Sequence, residues 1–220
     1  MQCFSPPEGT AVKAQLVLAH GAGAGSQSDF MQQVGGLLAA AGITTWLFDF
    51  PYMQTMMNEN KRRPPDRLPK LISSYQQVLK VIGKAAEYDP RLGLFLGGKS
   101  MGGRVATHLL TSEWLDSLNS VTIKGAVVMG YPFTPPGKQV LRTEHFDDIQ
   151  RPLFIAQGER DTFGGRDLIQ ELALPELIAT CILEDGDHSL KPRKSSGLTH
   201  QRNLQIMVDK IQEWICQIPN

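Results

Sequence analysis

The sequence predicts an α/β fold: a mostly parallel sheet of about six strands with helices on both faces. Three observations predict it. Short apolar runs recur along the chain, each run stops at a glycine, histidine or acidic residue, and stretches with helical spacing separate the runs. Runs that stay apolar throughout are what strands look like when both faces of a sheet are covered. With 220 residues, 41% of them hydrophobic, and a mean hydropathy of −0.19, the chain reads as one domain over residues 1–220, large enough to hold its own core.

Residues 14–20, AQLVLAH, form the first buried strand and run into a flexible glycine loop, His20-Gly21-Ala22-Gly23-Ala24-Gly25-Ser26. Asp29 then caps an amphipathic helix through Met31, Val34, Leu37, Leu38 and Ala41, closed by Gly42. A second strand spans Ile43–Phe48, with Asp49 at its end. Residues 50–67 read as irregular, broken by Pro51, Pro64 and Pro65. Within them Met53, Met56 and Met57 suit an adaptable pocket lining, while Lys61, Arg62 and Arg63 read as solvated surface. Residues 68–87 have helical periodicity through Leu71, Ile72, Tyr75, Val78, Leu79 and Ile82. They lead into the run Leu94-Phe95-Leu96 and a glycine cluster, after which a helix runs from near Met101 to Ser112. Ile123–Met129 is a further strand, and the aromatic, proline-rich loop at 130–137 behind it is stiff enough to wall a pocket. Residues 153–157 form another strand, followed by Gly158-Glu159-Arg160-Asp161-Thr162-Phe163-Gly164-Gly165 and a helix over about 166–174. The last strand, Ile178–Leu183, gives way to Glu184-Asp185-Gly186-Asp187-His188-Ser189, and residues 199–217 form a final amphipathic helix.

The glycine cluster contains Gly98-Lys99-Ser100-Met101-Gly102, a G-x-S-x-G sequence directly after an apolar run and before a helix. That is the setting of a nucleophile elbow, a strained turn that lifts the serine hydroxyl off the sheet and leaves no room for Cβ atoms on either side. The same stretch also matches the phosphate-cradling signature G-x-x-x-x-G-K-S over residues 93–100. That alternative makes residues 94–97 loop and moves the strand to 84–91, which is charged and contains Pro90. The first glycine loop imitates a dinucleotide fingerprint as well, but Ser26 stands where the third glycine belongs.

Basic and acidic residues balance at 22 each, so no overall field draws the chain to nucleic acid or to an anionic membrane. The N-terminal residues lack a secretory pattern, no apolar run approaches membrane-spanning length, and three cysteines show no paired or metal-ligand spacing. A cytosolic location is the expectation.

In open α/β sheets, sites gather beyond the carboxyl ends of the strands. The first glycine loop, Ser100, Asp161 and His188 all fall there, and the chain order Ser, Asp, His is that of the α/β-hydrolases. Together with HGAGAG, GGKSMGG, GYPF, GERD and DGDHS, nearly the whole chain from His20 onward resembles a compact α/β-hydrolase without a helical cap, close to the dienelactone-hydrolase-like proteins. Dienelactone hydrolases proper use cysteine where this chain has Ser100. The resemblance also implies two short antiparallel strands at the start, for which residues 1–13 leave little room; they are expected to be reduced or missing.

The chemistry follows from the residue types. Ser100 needs a base, and His188 is the natural one, with its ordinary pKa near neutrality. A carboxylate must hold the imidazole's tautomer, and Asp161 stands in the expected place, with Asp185, Asp187 and Asp49 as rivals in turns or at an earlier strand end. Met101 N–H, with Ala22 N–H or else Gly23 N–H, is expected to bind the oxyanion. His20 reads as support for that loop, while His108, His145 and His200 lack matching context. Lys99 and Arg104 read as surface or loop-tethering residues, with contact to an anionic substrate group as the alternative. The pocket wall is expected from Tyr52, Met53, Tyr131, Phe133 and Phe163. The expected function is hydrolysis of an ester, thioester or related acyl bond in a small molecule, without metal or cofactor. The alternatives are an idle hydrolase scaffold and a nucleotide-binding protein.

Overall fold

The computed structural model describes residues 1–118, 120–135, 137–138 and 140–219. Its strands are β1 (Gln2–Phe4), β2 (Ala14–Ala19), β3 (Ile43–Phe48), β4 (Leu94–Lys99), β5 (Ile123–Met129), β6 (Leu153–Gly158) and β7 (Ile178–Leu183). They form one sheet in the order β1-β3-β2-β4-β5-β6-β7. All pairs are parallel except β1 with β3, where Cys3 lies opposite Trp46. The six longer strands are the apolar runs of the sequence. The seventh, β1, is the one remaining initial antiparallel strand, and three residues are too few to show alternation.

The helices are α1 (Asp29–Ala40), α2 (Pro51–Glu59), α3 (Leu68–Ile82), α4 (Met101–His108), α5 (Ser112–Leu115), α6 (Arg166–Glu171) and α7 (His200–Gln217). Every residue of β2 is buried, and its alternation serves two cores. Leu16 and Leu18 pack with Val34 and Leu38 of α1 and Leu204 and Val208 of α7. Val17 and Ala19 pack with Leu71 and Tyr75 of α3 and Val105 of α4.

Some boundaries differ from the sequence expectation. Residues 51–59 are helical rather than irregular, because Pro51 sits in the first turn, where its missing N–H is no loss and its fixed φ suits the helix. That helix ends at Asn60 in the left-handed region, φ 51°. Helix α3 stops at Ile82 with Gly83 as its cap, not at residue 87, and α6 stops at Glu171. Ser28, not Asp29, precedes the first turn of α1, and its side chain makes no capping bond. Residues 94–97 lie inside β4, paired to β2 and β5, so the loop that a phosphate cradle requires does not exist.

The sheet order decides where a site can form. From β2 the chain passes to β3 on one side and then crosses to β4 on the other, so the strand order reverses between β2 and β4. The loops leaving these two strands diverge and open a crevice, and they are the glycine loop at 20–26 and the turn at Ser100. Ser100 has φ 51° and ψ −114°, a strained conformation for a serine. A Cβ at Gly98 would stand 2.5 Å from the Ala19 carbonyl oxygen and 2.8 Å from the Gly103 nitrogen, so the turn closes only with glycine.

Candidate active site

Ser100 leaves β4 with its N–H donating to the Met129 carbonyl (3.0 Å) and its carbonyl accepting from Arg104 N–H at the start of α4 (2.9 Å). Its Oγ lies 2.8 Å from His188 Nε2, and His188 Nδ1 lies 2.8 Å from Asp161 Oδ2. The Asp161 side chain is fully buried. Its Oδ1 accepts the Phe163 N–H at 2.8 Å, and Oδ2 also accepts from Gln157 Nε2 at 2.7 Å. A carboxylate held this way makes Nδ1 the protonated ring nitrogen and leaves Nε2 free to accept from the serine.

The three rival carboxylates have other partners. Asp187 Oδ1 accepts the Ser189 and Lys191 N–H groups and shapes the turn around His188. Asp185 pairs with Arg160 and Arg193, and Arg193 holds its carboxyl well below the usual range, at about 2. Asp49 takes the N–H and hydroxyl of Ser26, both at 2.7 Å, and pins the far end of the glycine loop.

The near end of that loop is held by His20, which is buried and kept neutral because burial lowers its pKa. Its Nε2 accepts the Phe50 N–H at 3.1 Å, so Nδ1 carries the proton and donates to the Gly21 carbonyl at 2.6 Å. Fixing the Gly21 carbonyl fixes the peptide plane and turns the Ala22 N–H the opposite way. Tyr52 adds a hydroxyl donated to the Ala22 carbonyl at 3.1 Å. Neither Ala22 N–H nor Met101 N–H has an acceptor among the described residues, and Gly21 lies against Ser100.

A family model for an alpha/beta hydrolase domain matches residues 12–216. The chain belongs to the alpha/beta hydrolase family. Solved structures with the same fold include a lidless α/β serine hydrolase from Xanthomonas campestris, 17% identical with a TM-score of 0.67 over 99% of this chain and 88% of that one. A dienelactone hydrolase from Anabaena variabilis is 18% identical, TM-score 0.65, over 98% and 90%. An esterase domain from Rhodothermus marinus is 14% identical, TM-score 0.64, over 98% and 91%. Among the described residues of this alpha/beta hydrolase chain, no helix is long and apolar enough to cross a membrane.

Two cavities of this hydrolase fold meet at Ser100. One, of about 380 Å³, lies between the glycine loop, Phe30, Lys99, His188 and Ser189. The other, of about 300 Å³, lies over Met101, Arg104, Val105, Leu71 and Arg142. Ser100, Ala22 and Phe163 line both, and the Phe163 ring stacks on His188 at 4.2 Å between centroids. The other four expected wall residues line neither cavity. Tyr131 and Phe133 are fully buried, because their rings pack onto Phe146; of their loop Pro132 lines the second cavity, and Pro136 lies outside the described residues. Met53 packs against Gly25, and Tyr52 tethers the glycine loop from behind. Lys99 ties the His188 loop to the elbow: its Nζ donates to the His188 carbonyl at 2.9 Å above the Phe30 ring, and burial pushes its pKa down to about 8.

Sequence reading did not single out Gln157, the last side chain of an apolar run. It is fully buried, donates to Asp161 and the Gly164 carbonyl, and accepts the Tyr131 N–H at 2.7 Å. A buried amide four residues before the acid is the signal that could have revealed it. Gln157→Leu orphans the Tyr131 N–H and strips a donor from Asp161, a loss of about 2–4 kcal/mol by the usual cost of unpaired buried groups. Thermal unfolding and steady-state rates should show a lower midpoint together with a lower kcat; unchanged values of both would deny Gln157 this role.

Behind Arg104, His108 and His145 stack with centroids 3.7 Å apart. Burial and Arg104 push His108 down to about 4, and burial, His108 and Arg104 push His145 to about 3. Both histidines therefore take up protons in the unfolded chain before they do in the folded one. Their contribution is intact above about pH 6.5 and is lost as the pH falls toward 4. Melting temperature should drop over that window, and His108→Phe, which keeps a stacked ring, should flatten the drop. An identical slope in the variant would refute the assignment.

Proposed function

We propose that the chain is a serine hydrolase cleaving an ester, thioester or related acyl bond of a small molecule through an acyl-Ser100 intermediate. The observation that carries this reading is the continuous pair of hydrogen bonds Asp161–His188–Ser100 at the mouth of the β2/β4 crevice. Ser100 Oγ attacks the carbonyl carbon while His188 Nε2 takes the hydroxyl proton, and Asp161 stabilises the resulting imidazolium. The oxyanion is received by the N–H groups of Met101 and Ala22, with Gly23 next along the loop. Collapse of the intermediate breaks the bond to the leaving group, which leaves with the proton from His188 Nε2. Water, deprotonated by the same nitrogen, then releases the acid and restores Ser100. The lidless neighbour and the esterase domain have the same fold and agree with this reading.

A fluorophosphonate probe tests it. Wild-type protein should be labelled covalently, and folded Ser100→Ala should not be. Absence of labelling in folded wild type would overturn the reading.

A further inference from the structure

The two cavities at Ser100 are not equivalent. His188, the group that must protonate the departing atom, lines the cavity beside Phe30 and is absent from the one over α4. On the proposed mechanism, on which this inference rests, the leaving group therefore occupies the first cavity and the acyl chain the second.

The acyl cavity is apolar near the serine, where Met101, Val105, Leu68 and Leu71 line it, and it carries two guanidinium groups. Arg104 lies one helical turn beyond Ser100. One of its terminal nitrogens meets Glu144 at 3.2 Å, while its Nε is buried with no acceptor among the described residues. Arg142 is held by its backbone, which bonds the Phe133 carbonyl and the Tyr131 hydroxyl, and its side chain has no carboxylate partner among the described residues. Burial and the neighbouring Arg104 both lower its pKa, the mark of two like charges set close together. Asp66 is the acidic residue on the cavity wall, with Oδ1 paired to Lys70 at 2.9 Å and Oδ2 buried without a partner among the described residues; with Glu144 paired to Arg104, the charge left unpaired is that of Arg142. The Arg142 guanidinium, without an acidic partner among the described residues, lines the cavity together with Arg104, and two planar guanidinium groups on one wall suit a carboxylate.

We propose that the acyl group this site accepts carries a terminal carboxylate, received by Arg104 and Arg142, so that the substrates are half-esters or half-thioesters of dicarboxylic acids. The apolar stretch takes the methylene chain, and the arginines take the far end. Cleavage is the reaction already described, with the free carboxylate unchanged throughout.

The test compares 4-nitrophenyl esters of three acids of equal length: hexanoic (neutral), adipic as its monoester (anionic) and 6-aminohexanoic (cationic). In wild type, kcat/KM for the adipic monoester should exceed that for the hexanoate by about 10–100-fold, the range of one charge-assisted hydrogen bond. That ratio should collapse toward one in Arg142→Met and recover in part in Arg142→Lys. A ratio near or below one in wild type, a ratio that Arg142→Met leaves unchanged, or preference for the aminohexanoate through Asp66 would overturn the proposal. Binding of adipate to Ser100→Ala by calorimetry supplies a readout independent of turnover. Affinity lost in Ser100→Ala/Arg142→Met supports the anion site, and no binding to Ser100→Ala refutes it. Failure of fluorophosphonate labelling would sink the hydrolase reading. Labelling with hexanoate turnover and no charge preference would sink only this inference.

Discussion

Replacing Ser100 or His188 by alanine is expected to lower kcat by on the order of 10⁶, and replacing both should lower it hardly further. The two side chains are joined by one hydrogen bond of 2.8 Å and act on one proton, so either deletion removes the whole proton transfer. What survives is the contribution of binding and of the oxyanion donors, about 10³–10⁴ over the reaction in water. Rates of 4-nitrophenyl hexanoate hydrolysis by the two single variants and the double variant measure this directly. If the double variant fell below the singles by a second large factor, Ser100 and His188 would be working independently and the relay would be the wrong description.

Asp161→Asn is expected to reduce kcat by about 10⁴. The change preserves shape and keeps an oxygen for the Phe163 N–H, but it turns the atom facing His188 from an acceptor into a donor. The imidazole then presents a lone pair at Nδ1 and a hydrogen at Nε2, the wrong tautomer for taking a proton from Ser100. The new amide nitrogen also confronts Gln157 Nε2, which now points at Asp161 Oδ2 from 2.7 Å. Fluorophosphonate labelling rates and kcat should fall together. A loss below about tenfold would show that a different carboxylate serves His188, since one misplaced tautomer alone is worth far more.

The candidate site residues were legible in the sequence because they sit where strands stop. Glycines around Ser100, the acid after the fifth apolar run and the histidine after the last one all mark strand ends, and strand ends lie on one edge of a parallel sheet. The lining of the crevice was not legible in the same way. Tyr131 and Phe133 look like wall residues in a proline-rich loop, yet only Pro132 between them lines a cavity while their rings pack inward against Phe146, which depends on a long-range fit that local pattern does not carry. Tyr52 has the same lesson in reverse: its ring is buried, and its hydroxyl holds the glycine loop at 20–26 from outside the cavity. The helix over residues 51–59 escaped notice because Pro51 reads as a breaker unless the helix start is placed at that residue, and no side-chain cap marks the start.

The Glu159–Arg160 and Asp185 contacts lock the loop carrying Asp161 to the loop carrying His188. Glu159 accepts the Asp185 N–H at 2.6 Å, and Arg160 donates to the Asp185 carbonyl at 3.0 Å. Each loop is only a few residues away from a strand of the same sheet as Ser100. The two loops are thus braced against each other as well as against the sheet. Heat inactivation is therefore expected to coincide with loss of the sheet, and an inhibitor bound at Ser100 is expected to raise the protection of amides in β4 and β6 along with those beside it.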